Sequence, residues 1–217
     1  METKEEELNG HQIRSERSTR ALIRAAGDLV AEGGYQSMTL ATVGERAGYS
    51  RSLATARFGS KGKLLEALVD EVVVRWTVEK VDAEATGLNG LAALQVLLRG
   101  ICDSYERNPR SLTILYALIF EALGPVPDLR ERFITFHQVL RSRIAATIRT
   151  GVEDGSIDRG IDPDQQAAVI VSTLRGVGYL WQLDKESIDP AAVLRLSIDQ
   201  WVRTLATDPA ALQEVKL

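Results

Sequence analysis

The sequence predicts an all-α protein of about nine helices, with a three-helix helix-turn-helix domain at the N-terminus followed by a larger helical domain. Three observations carry this reading. Apolar residues recur three and four positions apart along nearly the whole chain, and no stretch alternates apolar with polar as a strand would. Helix-starting residues stand before most of these stretches: Thr39, Ser50 and Ser60, and the pairs Asn108-Pro109, Pro127-Asp128 and Asp189-Pro190. The run TLATVGERAGYSRSLATARFGSKGK, Thr39 to Lys63, arranges two short helices around a tight Ala47-Gly48 turn, the device that presents one helix to the DNA major groove.

The elements follow in order. Ser15 to Glu32 carries Leu22, Ala26, Leu29 and Val30 on one stripe and stops at Gly33-Gly34. In the next helix Leu40 and Val43 share a face, Ala47 allows close packing, and Gly48 supplies the left-handed backbone of a sharp helix exit. On the second helix of the pair Leu53 turns inward, while Arg51, Ser52, Thr55 and Ala56 share the outer face. A fourth helix starts at Ser60 and is expected to run through Trp76 toward Ala85. Leu91 to Arg107 repeats apolar residues at Leu94, Leu97, Ile101 and Tyr105. Ser111 to Leu123 is apolar all round, which predicts a helix at the centre of the body. Leu129, Phe133, Phe136, Leu140, Ile144 and Thr147 hold helical spacing to about Thr150, and Gly151 to Gly160 reads as a polar turn.

Charge divides along the chain. The total is −4, yet residues 11–66 hold nine basic side chains against five acidic ones, and the acid lies in residues 1–10 and 67–217. A basic head on an acidic body is the footprint of a local phosphate-binding surface. The expected domains are therefore a DNA-binding head, residues 11–66, and an effector-binding and dimerisation body, residues 67–217.

From Arg17 to Leu68 the chain resembles the DNA-binding domain of the TetR family of bacterial regulators. The resemblance rests on Ala25-Ala26 and Leu29, EGGY at Glu32 to Tyr35, Thr39, RAGYS at Arg46 to Ser50, and FGSKGKLL at Phe58 to Leu65. It implies DNA contacts, mostly to phosphates, by Thr39, Ser50, Arg51, Ser52, Thr55, Ala56, Arg57 and Lys61. Many members of the family have tyrosine at the position of Thr55 and often histidine at that of Arg57. Threonine is shorter and lacks an aromatic face, whereas arginine adds a charge suited to phosphate or guanine. The resemblance also implies a small-molecule effector bound among the middle helices, acting on the DNA heads through the fourth helix.

Two apolar stripes on Asp164 to Leu183, together with the stripe Leu194, Ile198, Trp201, Val202 and Leu205, predict that the last two helices pair with their symmetry mates in a four-helix bundle. Val169, Thr173, Gly176, Leu194, Ile198, Trp201 and Leu205 are the expected interface. A twofold dimer predicts a palindromic operator on double-stranded DNA. Cys102, Tyr105, Tyr116, Phe120, Phe133 and His137 are the candidate effector contacts, an apolar set with a few polar handles.

The remaining features limit the alternatives. The two histidines, His11 and His137, are far apart, and no Cys or His cluster has metal-ligand spacing. No glycine-rich phosphate loop follows a strand, so no catalytic residue, metal or cofactor is expected and an enzyme is the weakest reading. METKEEELNG has no apolar h-region, no apolar run is long enough for a bilayer, and the single Cys102 fits a reducing compartment, so a cytoplasmic protein without a membrane partner is expected. The rival within DNA binding is an effector-independent architectural or chromosome-organising protein.

Overall fold

The computed structural model describes residues 2–71, 87–124 and 127–208. Among these, nine helices occur: α1 Glu2–Ser37, α2 Leu40–Arg46, α3 Arg51–Phe58, α4 Lys61–Val69, α5 Gly90–Arg107, α6 Pro109–Glu121, α7 Pro127–Asp154, α8 Pro163–Leu183 and α9 Pro190–Leu205. The only extended pairing among the described residues is a single antiparallel bridge between Ile157 and Ala206. None of the described helices is long and apolar enough to cross a membrane.

The helix boundaries depart from expectation where local physics favours extension. α1 begins at Glu2, not Ser15, because adding turns to an existing helix needs no new nucleus and the leading residues are mostly good helix formers. Its backbone breaks at Gly34 (φ 71°, ψ −177°), and the short turn that follows is tied down by the Ser37 hydroxyl, which lies 2.6 Å from the Leu29 carbonyl and 2.7 Å from that of Gly34. α6 begins at Pro109, directly after Asn108. α7 continues to Asp154, so the polar turn starts at Gly155 (φ 80°) rather than Gly151. Gly151 is helical for a packing reason: a Cβ there would come within 2.5 Å of the Ile157 side chain. α4 is described to Val69, and its expected continuation toward Ala85 lies outside the described residues.

The chain divides into two units, Met1–Arg75 with Thr113–Asp128, and Trp76–Leu112 with Leu129–Leu217. The first has a core of Leu22, Ala25, Ala26 and Val30 from α1, Val43 from α2, Ala54 from α3, Leu64, Leu65 and Leu68 from α4, and Ile114 to Tyr116 and Leu118 from α6. Gly27 makes this packing possible, since a Cβ there would lie 2.9 Å from Ile114 Cδ1. The helix expected at the centre of the body therefore contributes its residues from Thr113 onward to the core beneath the helix-turn-helix.

In the second unit α5 lies against α9 and α7. A Cβ on Gly90 would fall 2.1 Å from the Gly151 amide nitrogen, so the two helices meet backbone to backbone. The open N-terminus of α5 is satisfied by that same neighbour: Gly90 N–H donates to Asp154 Oδ2 at 2.7 Å and Leu91 N–H to Ser156 Oγ at 3.1 Å. These hydrogen bonds hold the Asp154 carboxyl below its ordinary range, with Ser156 the larger influence.

Candidate nucleic-acid interface

Each of the three short helices of the head starts on a hydroxyl. The Thr39 side chain accepts from Thr42 N–H at 3.1 Å while Thr42 Oγ1 accepts from Thr39 N–H at 2.9 Å, a reciprocal box that fixes the start of α2. Ser50 Oγ accepts from Leu53 N–H and Ser60 Oγ from Lys63 N–H, both at 3.2 Å, opening α3 and α4. Between α2 and α3 the close approach belongs to Gly44, buried within α2. A Cβ there would meet the Ser50 carbonyl oxygen at 2.9 Å and the Arg51 nitrogen at 3.1 Å. Sequence reasoning assigned this role to Ala47. A glycine inside a short helix, where alanine is favoured, was the signal that identifies it.

The packing fixes which face of α3 looks outward. Ala54 is fully buried and Leu53 half-buried, while Arg51, Ser52, Thr55, Ala56 and Arg57 are all exposed. The expected contact residues thus share one open surface, flanked by exposed Thr39 and Ser50 and half-buried Lys61. Ser50, which accepts through its oxygen to cap α3, still has its own proton to donate. Arg57 donates through Nη1 to the Ser15 hydroxyl on α1, which ties the last turn of α3 to the first helix without spending the charge.

Basic side chains in the head fall into two groups. Arg46 is committed to Glu32 by a two-pronged pair, Nη1 to Oε1 at 2.9 Å and Nη2 to Oε2 at 2.8 Å, which joins α1 to α2 and holds the Glu32 carboxyl below its ordinary range. Lys63 pairs with Glu66 and Arg20 with Glu16. Arg51 and Arg57 have no carboxylate partner among the described residues. Lys61 lies over the Tyr35 ring, 3.8 Å from its centroid. Burial lowers its pKa, while the charge of Glu121 at the end of α6 acts the other way. Glu121 also sits over Gly34, where a Cβ would be 3.1 Å from its Oε1. The EGGY segment, Lys61 and the end of α6 therefore form one contact cluster.

The six candidate effector contacts do not gather within either unit. Tyr116 and Phe120 belong to the first unit and stack on each other, with ring centroids 6.3 Å apart. In the second, Tyr105 packs edge-on against Trp181, and Phe133, Phe136 and His137 form an aromatic cluster. His137 Nδ1 lies 2.7 Å from the Phe133 carbonyl, which can only accept, so the proton is on Nδ1. Burial lowers the His137 pKa and the nearby Arg175 charge lowers it further, against the raising effect of that hydrogen bond. Cys102 lines a cleft between α5 and α9 with Arg99, Asp103, Arg195, Ile198 and Asp199. Its thiol donates to the Ala191 carbonyl, and burial pushes its pKa up.

The expected dimer residues require a correction. Leu194, Ile198 and Leu205 are 0–1% exposed within a single chain, because this stripe of α9 packs into its own unit, and side chains so enclosed have no surface left for a partner. Trp201 is half-buried. The outward apolar residues are different ones. On α8, Val169, Gly176, Leu180 and Leu183 are exposed and Thr173 half-buried, at heptad-like spacing, with Tyr179 beside them. On α9 they are Val193 and Leu196.

Two family models match the chain. Residues 22–68 match the bacterial regulatory proteins of the tetR family, and residues 90–207 match the C-terminal domain of BetI-type transcriptional repressors. Known structures share the architecture. SmeT of Stenotrophomonas maltophilia, solved with triclosan, superposes with a TM-score of 0.76 at 20% identity, covering 93% of this chain and 99% of SmeT. FadR of Bacillus halodurans gives 0.74 at 17% identity, covering 90% and 96%. NalD of Pseudomonas aeruginosa gives 0.71 at 20%, covering 89% and 99%. None of the curated proteins matches the sequence. The helix-turn-helix geometry and a family model spanning more than half of the chain lead to one conclusion: the protein belongs to the TetR family of bacterial regulators and is a DNA-binding transcriptional regulator, not an enzyme.

Proposed function

We propose that the chain is a cytoplasmic repressor that grips a palindromic operator as a homodimer and lets go when a small molecule binds its body. The observation that carries the DNA part is the open face of α3, where Arg51, Ser52, Thr55, Ala56 and Arg57 stand exposed with two unpartnered guanidiniums. Thr39, Ser50 and Lys61 flank it and supply backbone-phosphate contacts that set register, while the α3 side chains reach base edges. Residues 11–66 are the head in this reading and residues 67–217 the body that pairs and senses.

Pairing is supported by the outward stripe of α8 and the exposed Val193 and Leu196 of α9. Apolar side chains of this size each gain about 1.5–3 kcal/mol on full burial, so a stripe of them favours association with a second copy. Repression and ligand release are supported by relatives. SmeT is described as the repressor of a multidrug efflux pump, and it binds triclosan. An effector acts by preferring the conformation in which the two heads no longer match both half-sites. Within the second unit Cys102, Tyr105, Phe133 and His137 are the candidate contacts, and Tyr116 and Phe120 are those of the first.

Selection of genomic fragments with the purified protein, followed by nuclease footprinting, tests this reading. The expected result is protection of a few sites with twofold-related halves about one helical turn apart or somewhat more. Uniform protection along every fragment would support the architectural alternative instead.

A further inference from the structure

The cleft between α5 and α9 has a volume of about 240 Å³ and is lined by Arg99, Cys102, Asp103, Arg195, Ile198 and Asp199. Cys102 and Ile198 are buried and form an apolar floor. Both helices present the same pattern, Arg-x-x-apolar-Asp, in Arg99 to Asp103 and Arg195 to Asp199, so the walls carry two positive and two negative groups. Two of these are already engaged: Asp103 pairs with Arg107, and Arg195 Nη1 bonds Glu106 Oε1 at 2.8 Å. Arg99 and Asp199 have no ion-pair partner among the described residues.

We infer that this cleft is a binding site for a small zwitterion with an apolar side group. Its carboxylate meets Arg99, its ammonium meets Asp199, and its apolar part rests on Cys102 and Ile198. A simple anion or cation satisfies only one of the two open charges and leaves the other facing it unpaired, whereas a molecule carrying both satisfies each. At about 30 Å³ per water the cleft has room for about eight waters, and so for a molecule of amino-acid size. A ligand held by both walls bridges α5 to α9. That bridge gives the effector response proposed above a site and a chemical class, and its regulatory consequence rests on that reading.

Calorimetry on the full chain with leucine as probe tests the site. No DNA is present, so failure of the cleft and failure of the repressor reading give different results. Leucine is expected to bind with one site per chain, and R99Q and D199N each to weaken it about tenfold or more, the scale of one charged contact. 4-Methylpentanoate and 3-methylbutylamine, each lacking one of the two charges, are expected to bind correspondingly more weakly. Neither Arg99 nor Asp199 is buried, so both variants should keep the wild-type helical circular dichroism. The inference is overturned if leucine gives only heat of dilution, if both variants bind it as the wild type does, or if the two singly charged analogues bind as well as leucine.

Discussion

Gly44 shows how much a single residue decides in the head. Its missing Cβ lets α2 lie directly on the backbone where α3 begins, with Tyr49 N–H donating to the Gly44 carbonyl at 2.8 Å. The neighbour is main chain, which cannot rotate aside as a side chain can. Alanine at this position gains helix propensity, about 0.5–1 kcal/mol, but forces an overpacked contact costing about 1–3 kcal/mol. Gly44→Ala is therefore expected to lower the melting temperature by about 2–6 °C, at about 2–4 °C per kcal/mol for a chain of this size, in thermal unfolding followed by circular dichroism. An unchanged or raised melting temperature would mean that α3 is not seated on Gly44. At this scale the sequence was readable wherever a residue acts locally. Thr39, Ser50 and Ser60 cap the helices that follow them, since a cap depends only on the next three residues. Arg46 was counted among the head's cations, but its partner Glu32 is brought to it by the fold and not by sequence proximity.

Among the elements, α9 is the most instructive. Its apolar residues were legible as stripes, but periodicity does not say which stripe meets the chain's own core and which meets a partner. The structure assigns the fuller stripe, Leu194, Ile198, Val202 and Leu205, to the interior, and leaves Val193 and Leu196 outside. The two faces predict opposite outcomes for the same kind of substitution. Leu196→Glu is expected to give a folded monomer in sedimentation velocity, because it places a charge on the outward face. Ile198→Glu is expected to lose helical signal, because it buries an unpaired carboxylate. A folded dimer in Leu196→Glu would remove this face from the interface. α6 was misjudged for a related reason: an all-round apolar helix is recognisably buried, yet only the slot above Gly27 identifies the core that receives Ile114. Its end at Glu121 then shares a cluster with Lys61 and Tyr35, beside a candidate DNA contact.

For the whole molecule, the all-α class and the order of helices were legible because helical periodicity and capping are local signals repeated many times. The α5–α9 cleft was not, because Arg99 and Arg195 are neighbours only after two distant helices have packed. The account comes down to one surface, the exposed face of α3, acting on DNA twice per dimer. Fluorescence anisotropy with a footprinted genomic fragment tests it most directly, comparing the wild type with the R51A/R57A double variant at one fixed salt concentration. Both arginines are exposed, so the variant should keep the wild-type melting temperature. The predicted result is a loss of affinity of about 100-fold or more, at about 1–3 kcal/mol for each arginine contact. Equal affinity of the two proteins, with both folded, would contradict the assignment of α3 as the DNA-reading helix.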